Sequence, residues 1–135
     1  MIHRMEIRVY YEDTDLAGVV YYANYLKFLE RGRTEALRML GVDQSRLKAE
    51  AGLVFVVTRV EIDYRRPALF DDQVTVETAL ARRGAARIVM DQRVLRGAAL
   101  LAEARVSLAC MTAEGRPTRL PPEIGEALDR FAADR

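Results

Sequence analysis

The stretch from Tyr10 to Tyr25, "YYEDTDLAGVVYYANY", sets three carboxylates, Glu12, Asp13 and Asp15, in a run of turn-forming residues. An apolar segment, Leu16 to Tyr22, follows, and a helix starts just beyond it. An aspartate beside an apolar loop is a candidate for a raised pKa, because desolvation disfavours its charge. A helix start supplies free N–H groups and the positive end of a dipole. Such groups polarise a carbonyl and hold a developing oxyanion. A carboxylate next to that donor is sufficient equipment for acyl transfer on a reactive carbonyl, and Asp15, the acid that runs into the apolar segment, is the candidate.

The chain narrows the chemistry further by what it lacks. Its one histidine, His3, stands two residues from the start. A Ser-His-Asp triad, a Cys-His pair and a two-histidine zinc site each need an internal imidazole. The single cysteine, Cys110, excludes an intramolecular disulfide and a four-cysteine zinc site, so no metal is expected.

The same residues have plainer roles to set beside the chemical one. "DLAG" is a good turn sequence, and aspartate favours turns by bonding its own backbone. Glu12 and Asp13 read as solvated turn charges. The cluster Tyr10, Tyr11, Tyr21, Tyr22 and Tyr25 suits a core or a dimer interface. Cys110 reads as core, and Glu30, Arg33 and Glu35 as an ion-pair set on the helix.

The whole chain sets the frame. Its 135 residues fit one domain, 1–135, and half of them are hydrophobic, enough for a core. A net charge of +1 gives no footprint for nucleic acid. The N-terminus carries no apolar stretch of signal-peptide length, and no run approaches the roughly 18 apolar residues of a membrane span. The cytoplasm is the expected compartment.

Periodicity then supplies the elements. A strand is expected over Glu6–Tyr11, with Ile7, Val9 and Tyr11 on one face. A helix follows from Ala23 to Leu40, its buried face drawn by Leu26, Leu29, Arg33, Ala36, Leu37 and Leu40. Asn24 or the residues before it are placed to cap the start, and Gly41 to end it. Gly32, mid-helix, costs about 1 kcal/mol against alanine, which a close approach to a sheet would explain. A short helix is expected over Ser45–Ala51, and strands over Val54–Arg65, Val74–Ala81, Arg87–Leu95 and Leu101–Met111. In the first of these, Val56, Thr58, Val60, Ile62 and Tyr64 form the apolar face. The links "RRGA" and "RGA" suit antiparallel hairpins, and Ile124–Phe131 a last helical turn or two. The result is an α+β domain: an antiparallel sheet of five or six strands wrapped around one long helix, with a dimer to cover exposed strand edges.

On the motif "VYYEDTDLAGVVYYANYLKFLERGRTEAL", Val9 to Leu37, and on "VEIDYRRPALFDDQVTVET" after it, the chain resembles the hotdog-fold 4-hydroxybenzoyl-CoA thioesterase family. It looks most like the bacterial acyl-CoA thioesterases associated with the Tol-Pal system. The similarity runs to about Pro122 and leaves the 122–135 tail outside. The resemblance implies a hotdog fold, a homodimer or homotetramer with the site at the dimer interface, and hydrolysis of an acyl thioester of coenzyme A or acyl carrier protein. Coenzyme A would enter as part of the substrate, with no separate cofactor. Asp15 matches the catalytic aspartate, acting as nucleophile or as base for water. Tyr22 matches the helix-start position whose backbone N–H polarises the thioester oxygen. Tyr11, Gly18, Val19 and Asn24 are candidate substrate contacts. Arg82, Arg83 and Arg87, flanking a hairpin, are candidates for coenzyme A phosphates, with a solvated basic turn as the plainer reading. A lipid-synthesis or Tol-Pal-linked partner follows from the resemblance alone. Many Tol-Pal-associated enzymes carry histidine where this chain has Tyr22, which loosens the subfamily and the substrate. The competing reading is a non-catalytic module that binds acyl-CoA or acyl carrier protein.

Overall fold

The computed structural model describes residues 1–133. Its order is β1 (His3–Arg8), a 3-10 turn (Tyr11–Asp13), α1 (Asn24–Met39), α2 (Gln44–Ala51), β2 (Leu53–Tyr64), β3 (Gln73–Arg83), β4 (Arg87–Arg96), β5 (Ala99–Thr112) and α3 (Pro122–Ala133). Among the described residues five strands make one antiparallel sheet, in the order β1-β3-β4-β5-β2. The expected α+β architecture stands, with five strands. Two readings shift. The first strand begins earlier, so Tyr11 falls in the 3-10 turn, exposed rather than inward-facing. The tail forms a helix of 12 residues, of which Ile124, Leu128 and Phe131 are buried; positions 134–135 of the tail lie outside the described residues.

Gly32 sets how closely α1 lies on the sheet. A Cβ there would stand 2.6 Å from Val76 Cγ1, 3.2 Å from Thr78 Oγ1 and 3.3 Å from Gln92 Nε2. The mid-helix glycine is therefore a contact point, as its cost implied. The buried face of α1 is Tyr25, Phe28, Leu29, Gly32, Ala36 and Leu37. Leu26, expected inside, is exposed, because the stripe is turned toward the two aromatics Tyr25 and Phe28.

Arg33 does not join the expected ion-pair set. Its Nη1 donates to Gln92 Oε1 at 3.0 Å, while Gln92 Nε2 donates to Leu29 O and Thr78 Oγ1, both at 2.9 Å. Burial pulls the Arg33 guanidinium below its ordinary pKa. Glu35 pairs with Arg38 instead, and Glu30 accepts from Thr34.

The strand β2 departs from its expected pattern. The register with β5 slips between Val57 and Arg59. This bulge reverses which side chains face inward along the N-terminal half. Phe55 and Val57 share the inner face with Cys110 and Leu108, so Val56 points outward. Beyond the bulge Val60, Ile62 and Tyr64 face inward as expected, opposite Val106, Ala104 and Ala102. The strand is also an edge of the sheet, and α1 packs mainly on β1 and β3, meeting β2 at Tyr64. Val56, Val57, Val60 and Tyr64 are consequently exposed.

Candidate active site

The segment carrying Asp15 is a small hairpin. Thr14 bridges Val20, Asp15 N–H donates to Val19 O at 2.9 Å, and Gly18 N–H donates to Asp15 O at 3.0 Å. Gly18 has φ +81°, the left-handed conformation that such a tight hairpin places after its turn. Further bonds tie the hairpin to the segment before β3: Val19 bridges Leu69, and Val20 N–H donates to Ala68 O at 2.9 Å.

Within this loop the two aspartates divide the work. Asp13 is buried, contrary to its reading as a solvated charge; its Oδ2 accepts the Tyr10 N–H at 2.8 Å. Its carbonyl accepts the Tyr21 N–H at 3.0 Å and the Asn24 side-chain amide at 2.9 Å. Asp13 and Asn24 thus brace the loop against the start of α1, and the Asn24 side chain is spent on that brace. Asp15 is exposed, so the expected desolvation does not come from this chain alone. Its Oδ1 accepts the Ala17 N–H at 2.9 Å, the turn bond that its plainer reading anticipated. Among the described residues Oδ2 has no partner. One oxygen is held and the other is free to act.

The start of α1 is equally open. Its N-cap is Ala23, with no side-chain cap. The first bonds are Asn24 N–H to Tyr21 O at 2.8 Å and Tyr25 N–H to Tyr22 O at 3.3 Å. Among the described residues the N–H groups of Tyr22 and Ala23 meet no acceptor. The Tyr21 phenol pKa is raised, first by the neighbouring Tyr22 phenol and to a smaller extent by the Asp15 carboxylate.

Two grooves flank this hairpin and helix start. One, of about 480 Å³, is lined by Tyr11, Thr14, Asp15, Leu16, Gly18 and Phe70. The other, of about 250 Å³, is lined by Tyr22, Tyr25, Tyr64 and Arg66 among others. Tyr11 and Gly18 thus share the carboxylate's groove, whereas Val19 is half-buried in its bridge to Leu69. Tyr64, Arg66 and Phe70 were not anticipated. The alternation that marked Tyr64 as inward-facing was the signal that could have found it.

The arginines chosen from the hairpin sit elsewhere. Asp15 lies beside the Gln73 end of β3, while Arg82 and Arg83 close its far end, roughly 30 Å away along the strand. Arg83 is occupied: its Nε and Nη2 reach both carboxylate oxygens of Asp129 on α3, each at 2.8 Å. Arg82 and Arg87 are exposed. Within one chain none of the three meets Asp15. His3 is also remote, on β1 opposite Thr78.

Comparison with known proteins adds to this geometry. The profile of the thioesterase-like superfamily matches residues 9–128. The chain is 44% identical over 122 residues to the acyl-CoA thioesterase YbgC of Haemophilus influenzae, covering 90% of each. It is 39% identical over 125 residues to the acyl-CoA thioester hydrolase YbgC of an Escherichia coli O6:H1 strain, covering 91% of this chain and 92% of that one. A solved structure of a probable thioesterase from Bartonella henselae superposes with a TM-score of 0.87 at 44% identity, covering 90% of this chain and 100% of the other.

Proposed function

The chain belongs to the thioesterase-like superfamily, and from that premise we propose that it hydrolyses acyl-CoA thioesters with the Asp15 carboxylate and the Tyr22 N–H. It is a hotdog-fold thioester hydrolase. The observation that carries the assignment of residues is the half-held carboxylate of Asp15, on a hairpin braced to a helix start whose N–H groups are open. The thioester oxygen would accept the Tyr22 N–H, where the helix end stabilises the oxyanion as it forms. The free Oδ2 of Asp15 then attacks the carbonyl carbon, or takes a proton from the water that does. Collapse of the tetrahedral species breaks the C–S bond. A thiol of pKa about 8.5 leaves as thiolate without a general acid, which suits a site remote from the only histidine.

In the proposed assembly a second copy pairs along β2. An unpaired edge strand of 12 residues with exposed apolar side chains favours such pairing. The partner would cover Val57 and Val60 and close the mouth beside Asp15, supplying the desolvation that one chain does not. Sedimentation should give a dimer, or a tetramer if dimers pair again. For the coenzyme A arm, Arg66 is the proposed phosphate contact, since it lines the Tyr22 groove and pairs with no carboxylate among the described residues. The proposed compartment is the cytoplasm, in keeping with a single buried free cysteine, Cys110.

The test is release of free thiol from short-chain, long-chain and aromatic acyl-CoAs. Turnover of at least one is expected. Tight binding of intact acyl-CoA without hydrolysis would instead support the binding-module reading. Capture of an acyl-enzyme by hydroxylamine separates the nucleophile route from the base route.

A further inference from the structure

We propose that Tyr64 is a positioning residue, fixing the direction of the carbonyl-polarising N–H by hydrogen-bonding the carbonyl of Tyr22. The proposal rests on the reading of Tyr22 given above and adds the group that holds it in place.

Tyr64 is the last residue of β2, and its place opposite Ala102 turns it inward, toward the start of α1. Its hydroxyl donates to Tyr22 O at 2.9 Å. Among the described residues that carbonyl otherwise accepts only the long 3.3 Å bond from Tyr25 N–H. The peptide on the other side of Tyr22 is held by Asn24 N–H on Tyr21 O at 2.8 Å. With a bond on each flanking peptide, the Tyr22 backbone has little freedom, and its N–H keeps one direction.

The ring of Tyr64 completes the clamp. It meets Tyr22 edge-on at 6.2 Å and Tyr25 at 5.3 Å between centroids. Tyr25, buried behind it, accepts the Ala68 N–H at 2.9 Å, and Ala68 O holds Val20 of the hairpin. The edge strand, the hairpin and the helix start are thereby joined through three tyrosines. Burial, and then the neighbouring Tyr22 and Tyr25, push the Tyr64 phenol above its ordinary pKa, so it keeps the proton it donates.

This arrangement bears on catalysis more than on binding. A donor that swings by a few tenths of an ångström still lets substrate sit, but stabilises a developing oxyanion less well. Tyr64→Phe keeps the ring and removes only the hydroxyl. It should lower kcat about five- to tenfold, the kinetic equivalent of one ordinary hydrogen bond, with KM and melting temperature near wild type. A spectroscopic reading separates this from a structural role. Asp15→Asn should slow turnover by orders of magnitude, so carbonyl-13C benzoyl-CoA or propionyl-CoA, whichever wild type cleaves faster, can be held intact while the spectrum is taken. Its carbonyl stretch should fall on binding to Asp15→Asn, and fall less on binding to the Asp15→Asn/Tyr64→Phe double variant. A lowered stretch that is the same in both overturns the role of Tyr64. No lowering in Asp15→Asn itself overturns the Tyr22 reading instead. A kcat unchanged in Tyr64→Phe also counts against the proposal, and a raised KM at constant kcat makes Tyr64 a binding residue only.

Discussion

The outer face of the sheet and the mouth beside Asp15 are built on opposite plans. On the outer face, charges from all five strands line the ladder and most face an opposite charge; Glu103, which also faces Asp63, is paired by Arg65. Arg4 stands opposite Glu77, Glu77 opposite Arg93, and Arg93 opposite Glu103. One register step away Asp91 faces Arg105, which faces Glu61. Glu77 is nearly buried between two arginines, at 2.9 Å from Arg4 and 2.6 Å from Arg93. At the mouth little is answered within the chain. A carboxylate oxygen and two helix-start N–H groups are open, and Tyr11, Leu16, Phe70 and Tyr22 are exposed, Leu16 wholly so. A face whose groups satisfy one another is a frame. A face that leaves its groups open is where a substrate or a second copy is proposed to sit.

The sharpest way to break this comparison is Asp15→Asn. If the mouth is the reactive end, free-thiol release should drop by roughly 10²–10⁴-fold. The melting temperature should hold, because the side chain is exposed and Asn can still accept the Ala17 N–H. Near-wild-type activity would return Asp15 to its role as a turn residue. Next comes the edge. Val57→Lys puts a charge on the uncovered inner side of β2, so the variant should sediment as a monomer and lose most of its activity while keeping its circular dichroism. A variant that stays dimeric would place the interface elsewhere.

Gly32→Ala tests the frame rather than the mouth. The added methyl would overlap Val76. Overpacking of this kind costs about 1–3 kcal/mol, partly offset by the better helix propensity of alanine. The urea midpoint should fall, with activity following only as far as the fold is lost.

Asp72, between frame and mouth, gives a pH signature. Burial alone would raise its pKa, but the Leu69 N–H and Arg96 together bring it below the ordinary value. A folded pKa below the unfolded one stabilises at pH above the unfolded value, about 3.9, and that contribution is lost as pH falls through the folded one. Asp72→Asn should therefore flatten the acid limb of a stability-against-pH curve below about pH 4. An unchanged limb would mean that Asp72 adds nothing to it.

What could be read in the sequence follows the same division. The frame was legible because it is periodic: a one-sided strand alternation and a helical stripe each report burial directly. It failed where geometry overrides period. Nothing in "VFVVTRV" marks a bulge at Thr58, and the rotation of α1 toward Tyr25 and Phe28 depends on which strands it covers. At the mouth, Asp15 was visible as a carboxylate in a turn before a helix. The different fates of Asp13 and Asp15 were not, since both are turn aspartates and only the return of the chain at Tyr21 and Asn24 buries one of them. Arg82, Arg83 and Arg87 were chosen for clustering in sequence, and within one chain the length of β3 separates them from Asp15.

The smallest effect is the most telling about the frame. Arg105 Nε lies 2.8 Å from Asp91 Oδ1, with the two side chains 48% and 46% exposed. An ion pair that wet is worth about 0–1 kcal/mol, because water screens the attraction and two side chains lose freedom to form it. A double-mutant cycle on Asp91→Ala and Arg105→Ala should give a coupling in that range, shrinking further as salt is raised. A coupling of about 2 kcal/mol or more that resists salt would mean the pair is desolvated in solution. The outer face would then be covered by another copy and would be a second interface, and the contrast between an answered frame and an open mouth would hold for the single chain alone.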